Sequence, residues 1–275
     1  MELCFPELDE YLRIQKNKII HQVWFGTIPN REQAKKTYLK LKQYRESWTK
    51  RNHNWVHIEW SRRRSFEFVK RYFPEYYALF RSYRYEIQRC DVIRYLLLYR
   101  YGGWYADMDY YCNRPLDEAM SQYPNKIYFV QTPNTTFLQD EDYISNSLMY
   151  SEAGHQYWKC VMAELEEHSQ PLLSYGKHLT VMLSTGPARL NKVYVKYKEQ
   201  YEVKSLPWKL FHPYGVTNIK LSLHVDDSVF AIHCGKGSWE DVDSKVFLFF
   251  FRDWKIVLFI VFVLSIPIIK AKIRF

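Results

Sequence analysis

The chain of 275 residues has only five cysteines, Cys4, Cys90, Cys112, Cys160 and Cys234, and no Cys-x-x-Cys pair among them. So few and so scattered, they exclude a disulfide framework and a cysteine-rich zinc site, and predict reduced thiols in or near a core. The first ten residues, Met1 to Glu10, are acidic and hold no apolar run, which reads against a secretory signal or a mitochondrial presequence. There is no Gly-x-x-x-x-Gly-Lys-Ser/Thr loop and no kinase signature set, so kinase-like phosphoryl transfer is set aside. Internal repeats, low-complexity tracts, linkers and zinc-finger or RRM-like modules are also missing. The Lys and Arg residues are dispersed, so the net charge of +9 points to nucleotide phosphates or acidic lipid headgroups and not to nucleic acid.

What is present suits an ordinary folded protein, with 47% apolar and 25% charged residues. The length allows one sizeable α/β domain with an appendage, placed at residues 1–244 and 245–275. Aromatic residues are numerous, with 24 Tyr, 17 Phe and 9 Trp, and suit both cores and faces that stack on sugars or bases. Residues 256–269 are apolar apart from Ser265 and Pro267. As helix this run reaches about 21 Å, short of the roughly 30 Å hydrocarbon core. Extending it back to Val246 brings in Arg252, Asp253 and Lys255. The segment reads as a membrane-associated helix, either spanning or lying in the interface, with a buried C-terminal helix as the alternative. Basic residues on both sides (Arg252 and Lys255; Lys270, Lys272 and Arg274) leave its orientation open.

Along the chain, residues 18–24 read as a strand closed by a turn at Gly26 and Pro29, residues 31–50 as a helix, and residues 55–60 as a second strand. This β-α-β unit implies a parallel sheet. A helix or helix pair broken near Pro74 is expected over 65–80, and a helix over 85–101 stopped by Gly102-Gly103. A strand over 104–110 should follow at once, then a strand over 127–131, a helix over 155–168, and short elements over 177–182 and 229–233.

The chemistry gathers around Asp107 and Asp109. On a strand, side chains alternate, so Tyr105, Asp107 and Asp109 share one face, with the carboxylates about 7 Å apart along the chain. Two such anions repel unless a cation lies beside them, and oxygen ligands suit Mg²⁺ or Mn²⁺. Such an ion bridges to a diphosphate and neutralises charge on a leaving nucleoside diphosphate. Taken alone, an Asp-x-Asp is more often a pair of solvated residues at a strand end. Asp91 and Arg94 stand at i and i+3 on the preceding helix, hence on one face. They form either a surface ion pair or a carboxylate and guanidinium turned into the same cleft.

The string Arg89-Cys90-Asp91-Val92-Ile93-Arg94-Tyr95, followed by Leu98-Tyr-Arg-Tyr-Gly102-Gly103-Trp-Tyr-Ala-Asp107-Met-Asp109, resembles the signature of glycosyltransferase family 32. The likeness extends to Lys18-Ile-Ile-His21-Gln22-Val-Trp24, Arg114-Pro115-Leu116, Ser145-Asn146 through His155, Thr180 through Pro187, and Gly235-Lys-Gly237-Ser238-Trp239. Within the family, the 180–187 segment, the Gly-Ser-Trp ending and the hydrophobic tail are most similar to yeast-type inositol phosphorylceramide mannosyltransferases.

The resemblance implies a GT-A fold, a Rossmann-like mixed and mainly parallel sheet flanked by helices. It also implies an enzyme, a retaining hexosyltransferase using Mn²⁺ or Mg²⁺ and a nucleotide sugar, GDP-mannose or a UDP-hexose, with a lipid or glycan acceptor at a membrane. Asp107 and Asp109 would carry the metal, completed by His233. Asp91 and Arg94 would hold the donor sugar, Trp24 would flank the base, Asn146 would lie near donor or acceptor, and Ser238 and Trp239 would contact the diphosphate. His21 is read as a satisfied core histidine. The competing reading is a catalytically inactive donor-binding or lectin-like membrane protein of the same fold. A glycosidase, which would hydrolyse without added metal, fits poorly with two aspartates on one strand.

Overall fold

A computed structural model describes residues 5–15, 17–26, 31–133, 143–168, 176–213 and 226–235. Cys4, Pro29, Ser238, Trp239 and the apolar C-terminal segment lie outside the described residues. Among the described residues no helix is long and apolar enough to cross a membrane.

After a short helix α1 (Phe5–Gln15), the expected β-α-β unit is formed by β1 (Ile19–Trp24), α2 (Arg31–Arg51) and β2 (Val56–Ser61). Its strands are parallel, from Ile19 opposite Val56 to Trp24 opposite Ser61. The helix pair is α3 (Arg62–Tyr72) and α4 (Pro74–Ser82). It breaks at Phe73 because Pro74 has no N–H to continue α3 but fits the first turn of α4. Next comes α5 (Glu86–Tyr101), with 11 of its 16 residues buried. The guanidinium of Arg89 donates to the carbonyls of Phe80, Arg81 and Tyr83, so this motif residue ties the end of α4 to the start of α5.

Helix α5 turns directly into β3 (Gly103–Ala106) through Gly102 and Gly103, at φ +66° and +90°. A Cβ on Gly103 would run into the Ile19 carbonyl oxygen, and one on Gly102 into Asn17 Oδ1 and the Ala153 backbone nitrogen. Only glycine combines this φ with so close a backbone approach. Gly103→Ala is expected to cost about 3 kcal/mol or more of folding stability, since the neighbouring atom is main chain and cannot rotate away. Urea unfolding followed by tryptophan fluorescence measures it, and a loss under about 1 kcal/mol would contradict the close approach.

In place of the single strand expected over 104–110, β3 ends at Ala106 and β4 (Tyr110–Cys112) begins a separate small sheet. Asp107 extends the ladder by one bond, its N–H donating to Ser147 O at 2.8 Å. The chain then turns, with Tyr110 N–H donating to Asp107 O at 3.0 Å. Met108 packs in a separate apolar cluster with Leu41, Tyr44 and Ile232, drawing the chain out of the main sheet. Aspartate favours turns over strands for its own part.

The remaining elements are α6 (Leu116–Gln122), β5 (Ile127–Gln131), β6 (Ile144–Ser151), α7 (Tyr157–Glu167), α8 (Gly176–Ser184), α9 (Pro187–Tyr197), β7 (Lys204–Leu206), α10 (Trp208–Phe211) and β8 (Ala231–His233). The main sheet runs β2-β1-β3-β6-β5-β7, and β4 pairs with β8. The pairs β1–β2, β1–β3 and β5–β7 are parallel, while β6 is antiparallel to both neighbours. The fold is therefore mixed α/β with a mostly parallel sheet.

Strand alternation divides the core in two. Ile19, Val23 and Tyr105 face a cluster with Phe68, Leu96, Trp158 and Val193, while Ile20, Trp104 and Ala106 face one with Trp48, Trp55 and Phe211. Much of the aromatic content is structural: Trp48, Trp60, Trp104 and Trp158 are all fully buried. Four of the five cysteines are described, and all four are free thiols, as expected.

Candidate active site

Beyond the ends of β1 and β3 lies a cavity of about 320 Å³. Its walls include Trp24, Asp91, Arg94, Asp107, Asp109, Asn146 and His233, so the structure brings together every described residue proposed from the sequence. Placing a site outside the carboxyl ends of parallel strands is a general property of open α/β sheets.

Arg94 is the hub. Its side chain is 4% exposed and lies 3.1 Å from Asp91 Oδ1 and 3.1 Å from Asp107 Oδ1. It also donates to the Asn146 carbonyl at 2.8 Å and stacks 4.6 Å from the Tyr105 ring centre. The surface-pair alternative for Asp91 and Arg94 is thereby removed. Burial disfavours the guanidinium charge, but Asp107, Tyr105 and Asp91 outweigh it and hold the pKa above its ordinary value.

Asp91 accepts from Asn146 Nδ2 at 2.9 Å on Oδ1, which also faces Arg94, and from Thr185 Oγ1 at 3.0 Å on Oδ2. With about four acceptor positions on a carboxylate, one remains on Oδ2 for a ligand hydroxyl. Burial pushes the Asp91 carboxyl up to about 6, with Arg94 pulling the other way. Asn146 spans Asp91 and Tyr95, donating to both, so its amide orders the wall.

Asp107 and Asp109 do converge, although through a strand end and a turn instead of alternation along one strand. Tyr105, on the face expected, donates to Asp107 Oδ1 at 2.6 Å. Gln22, from the Lys18–Trp24 motif, donates to the Asp107 carbonyl at 3.3 Å. On the other side, β8 carries His233 to 3.2 Å from Asp109 Oδ1. The side chains of Asp107, Asp109 and His233 each offer one ligand atom, all within 4.8 Å of one another. Two carboxylate oxygens and an imidazole nitrogen, with the Asp107 side chain 28% exposed to the cavity, fit a Mn²⁺-sized ion that keeps open positions. Burial raises the Asp107 carboxyl, opposed by Arg94 and reinforced by Asp109. For His233, burial is outweighed by Asp109 and Asp107, which raise its pKa. The electrostatics of the trio favour positive charge.

A second acidic group, Glu164, Glu167 and His168, lies on α7 and its end. Glu164 there is already paired with Arg189 at 3.4 Å and His168 at 3.3 Å, and none of the three lines the cavity.

Trp24 is half-buried and lines the cavity, as do Phe25 and Leu41, and its ring is 6.1 Å from that of Tyr38. These apolar and aromatic side chains suit a flat base. His21 is the satisfied core histidine expected. One ring nitrogen accepts from Trp60 Nε1 at 3.1 Å and the other donates to the Gly102 carbonyl at 2.9 Å. Sequence reasoning misses His212, which also lines the cavity. It stands 21 positions before His233 with no motif around it, and local spacing carries no signal for that contact.

Residues 39–126 match the family described as glycosyltransferase sugar-binding region containing DXD motif. Over those residues the chain is thus similar to the sugar-binding region of the DXD glycosyltransferases. It is 32% identical over 238 residues to inositol phosphoceramide mannosyltransferase 2 of Schizosaccharomyces pombe, covering 84% of this chain and 60% of that relative. With inositol phosphoceramide mannosyltransferase 1 of the same organism it shares 29% over 272 residues, covering 94% and 72%. With mannosyl phosphorylinositol ceramide synthase CSH1 of Saccharomyces cerevisiae it shares 32% over 145 residues, covering 53% and 35%. The chain therefore spans about three fifths of the length of the first of these relatives. Among solved structures, PaToxG glycosyltransferase is similar at 15% identity and a TM-score of 0.46, covering 71% of this chain and 76% of that one.

Proposed function

We propose that the chain is a retaining, metal-dependent GT-A glycosyltransferase that moves mannose from GDP-mannose to an inositol-phosphate-bearing sphingolipid at a membrane. The observation that carries the reading is the convergence of Asp107, Asp109 and His233 beside the buried Asp91–Arg94 pair in one cavity. The names of the yeast relatives support the mannose and the lipid acceptor.

In this reading Asp107, Asp109 and His233 hold Mn²⁺ or Mg²⁺, which when bound supplies a Lewis acid for the charge growing on the leaving diphosphate. Arg94 faces the sugar–phosphate junction, and Asp91 offers its remaining acceptor position to a sugar hydroxyl. Trp24 and Phe25 take the base. Among the described residues the cavity carries a single thiol, Cys90, and burial holds it protonated, well above its usual range. With Asp91 committed to three donors, no described side chain stands ready as nucleophile. Transfer then proceeds on one face of the sugar. The acceptor hydroxyl oxygen bonds to the anomeric carbon, the bond to the diphosphate oxygen breaks, and the hydroxyl proton passes to that oxygen.

The test is GDP release by the full chain from GDP-mannose with inositol phosphorylceramide in detergent, with Mn²⁺ or with EDTA, beside three UDP-sugars. Release from GDP-mannose alone, abolished by EDTA and giving a product of retained configuration by NMR, is the expected outcome. Turnover of a UDP-sugar instead would overturn the donor, EDTA-insensitive turnover the metal, and an inverted product the mechanism.

A further inference from the structure

His212, directly after α10, is buried and has no part in the proposed transfer. Its Nε2 lies 3.1 Å from Nδ1 of His233, the two rings edge to face with centres 4.7 Å apart. The other nitrogen of His233, Nε2, faces Asp109 Oδ1 at 3.2 Å. His233 is further clamped by the Tyr110 ring, stacked on it at 4.6 Å with planes 9° apart. The His233 ring is thus fixed in place and in azimuth, and what remains to be set is which nitrogen carries the proton.

A neutral imidazole that gives its Nε2 lone pair to a cation must hold its proton on Nδ1. That proton needs an acceptor, since ligating histidines donate their second N–H to a carboxylate, a carbonyl or water, and this partner tunes metal affinity. Here Nδ1 of His233 faces the Nε2 of a second histidine. His212 accepts only with its own proton on Nδ1, and that nitrogen is buried with no hydrogen-bond partner among the described residues. The opposite arrangement, in which His212 donates from Nε2, puts the His233 proton on Nε2, toward Asp109, where it would occupy the ligand position.

We propose that His212 is a positioning residue that accepts the Nδ1–H of His233 and so turns the Nε2 lone pair of His233 toward a divalent cation held with Asp107 and Asp109. The inference rests on the metal-dependent function proposed for this site and assigns a role to a residue outside the ligand trio.

Equilibrium binding of Mn²⁺ to the full chain, read from the electron paramagnetic resonance signal of free Mn²⁺, tests it without turnover. His212→Phe keeps a flat ring but cannot accept, and is expected to weaken Mn²⁺ binding about 10-fold or more, whereas His212→Gln offers an amide oxygen and should stay within about threefold of the unaltered protein. Thermal melts without metal report any loss of fold. Mn²⁺ binding by His212→Phe as tight as that of the unaltered chain overturns the proposal. So does an equal loss in both variants, which would mark His212 as packing alone. If His212→Phe does not fold, the Gln variant decides: binding retained supports the acceptor role, and a loss above about 10-fold overturns it. No Mn²⁺ binding by the unaltered chain overturns the metal dependence itself, and the role of His212 with it.

Discussion

Asp109→Asn is expected to lower Mn²⁺-dependent release of nucleoside diphosphate by about a thousandfold or more while leaving the fold intact. The amide has nearly the shape of the carboxylate, so the packing beside His233 Nε2, 3.2 Å from Asp109 Oδ1, is kept. What is lost is one of the trio's two negative charges, and with it most of the attraction for a divalent ion. A bound Lewis acid supplies several kcal/mol to such a transition state, and each 1.36 kcal/mol is a factor of ten in rate. Asp107→Asn is a less selective probe, because Asp107 also faces Arg94 at 3.1 Å and accepts from Tyr105 at 2.6 Å. The check is turnover at increasing Mn²⁺ with melting temperature measured alongside. Partial recovery at high Mn²⁺ fits a weakened ligand, whereas full EDTA-sensitive activity at ordinary Mn²⁺ would remove Asp109 from the site.

The parts of this site that lie close together along the chain are legible in the sequence itself. Ile19 to Trp24 announces a strand by its β-rich pattern, and Gly102-Gly103 announces the stop of α5. The i, i+3 spacing of Asp91 and Arg94 places them on one face, and the structure pairs them at 3.1 Å. For the two aspartates the sequence identifies the pair but not its geometry. Alternation assumes that the strand continues through Asp109, but Met108 has its own apolar cluster to join, and the turn follows. Strand β6 shows in the sequence only as a motif, because Ser145, Asn146 and Ser147 read as polar surface. In the fold they are buried and satisfied by Arg94, Asp91, Tyr95 and Tyr110. His212 and Thr185 reach the site from 121 and 94 positions beyond Asp91, and such contacts are set by packing of whole elements, which no local pattern encodes.

Arg94→Met is expected to destabilise the fold by about 3–5 kcal/mol at neutral pH, because it leaves the buried Asp91 carboxylate without its cation. Methionine fills much of the same volume, so the loss is one of charge and hydrogen bonds more than of packing. Burial already raises Asp91 to about 6 against the pull of Arg94, and without Arg94 that pull is gone and the folded-state pKa climbs further. A carboxyl whose folded pKa lies above its unfolded one binds more protons in the folded state across the interval between them, so stability falls as pH rises through that window. Below the unfolded value, roughly pH 4, Asp91 is neutral in both states and the penalty vanishes. The deficit of Arg94→Met against the unaltered chain should therefore be largest at pH 7.5 and clearly smaller at pH 5, as measured by urea unfolding at each. Adding Asp91→Asn to Arg94→Met should recover part of the loss at pH 7.5, since an amide buried beside Asn146 and Thr185 carries no charge to compensate. An equal deficit at both pH values, with no recovery in the double variant, would mean that Arg94 holds the wall by shape and by its bond to the Asn146 carbonyl instead of by charge.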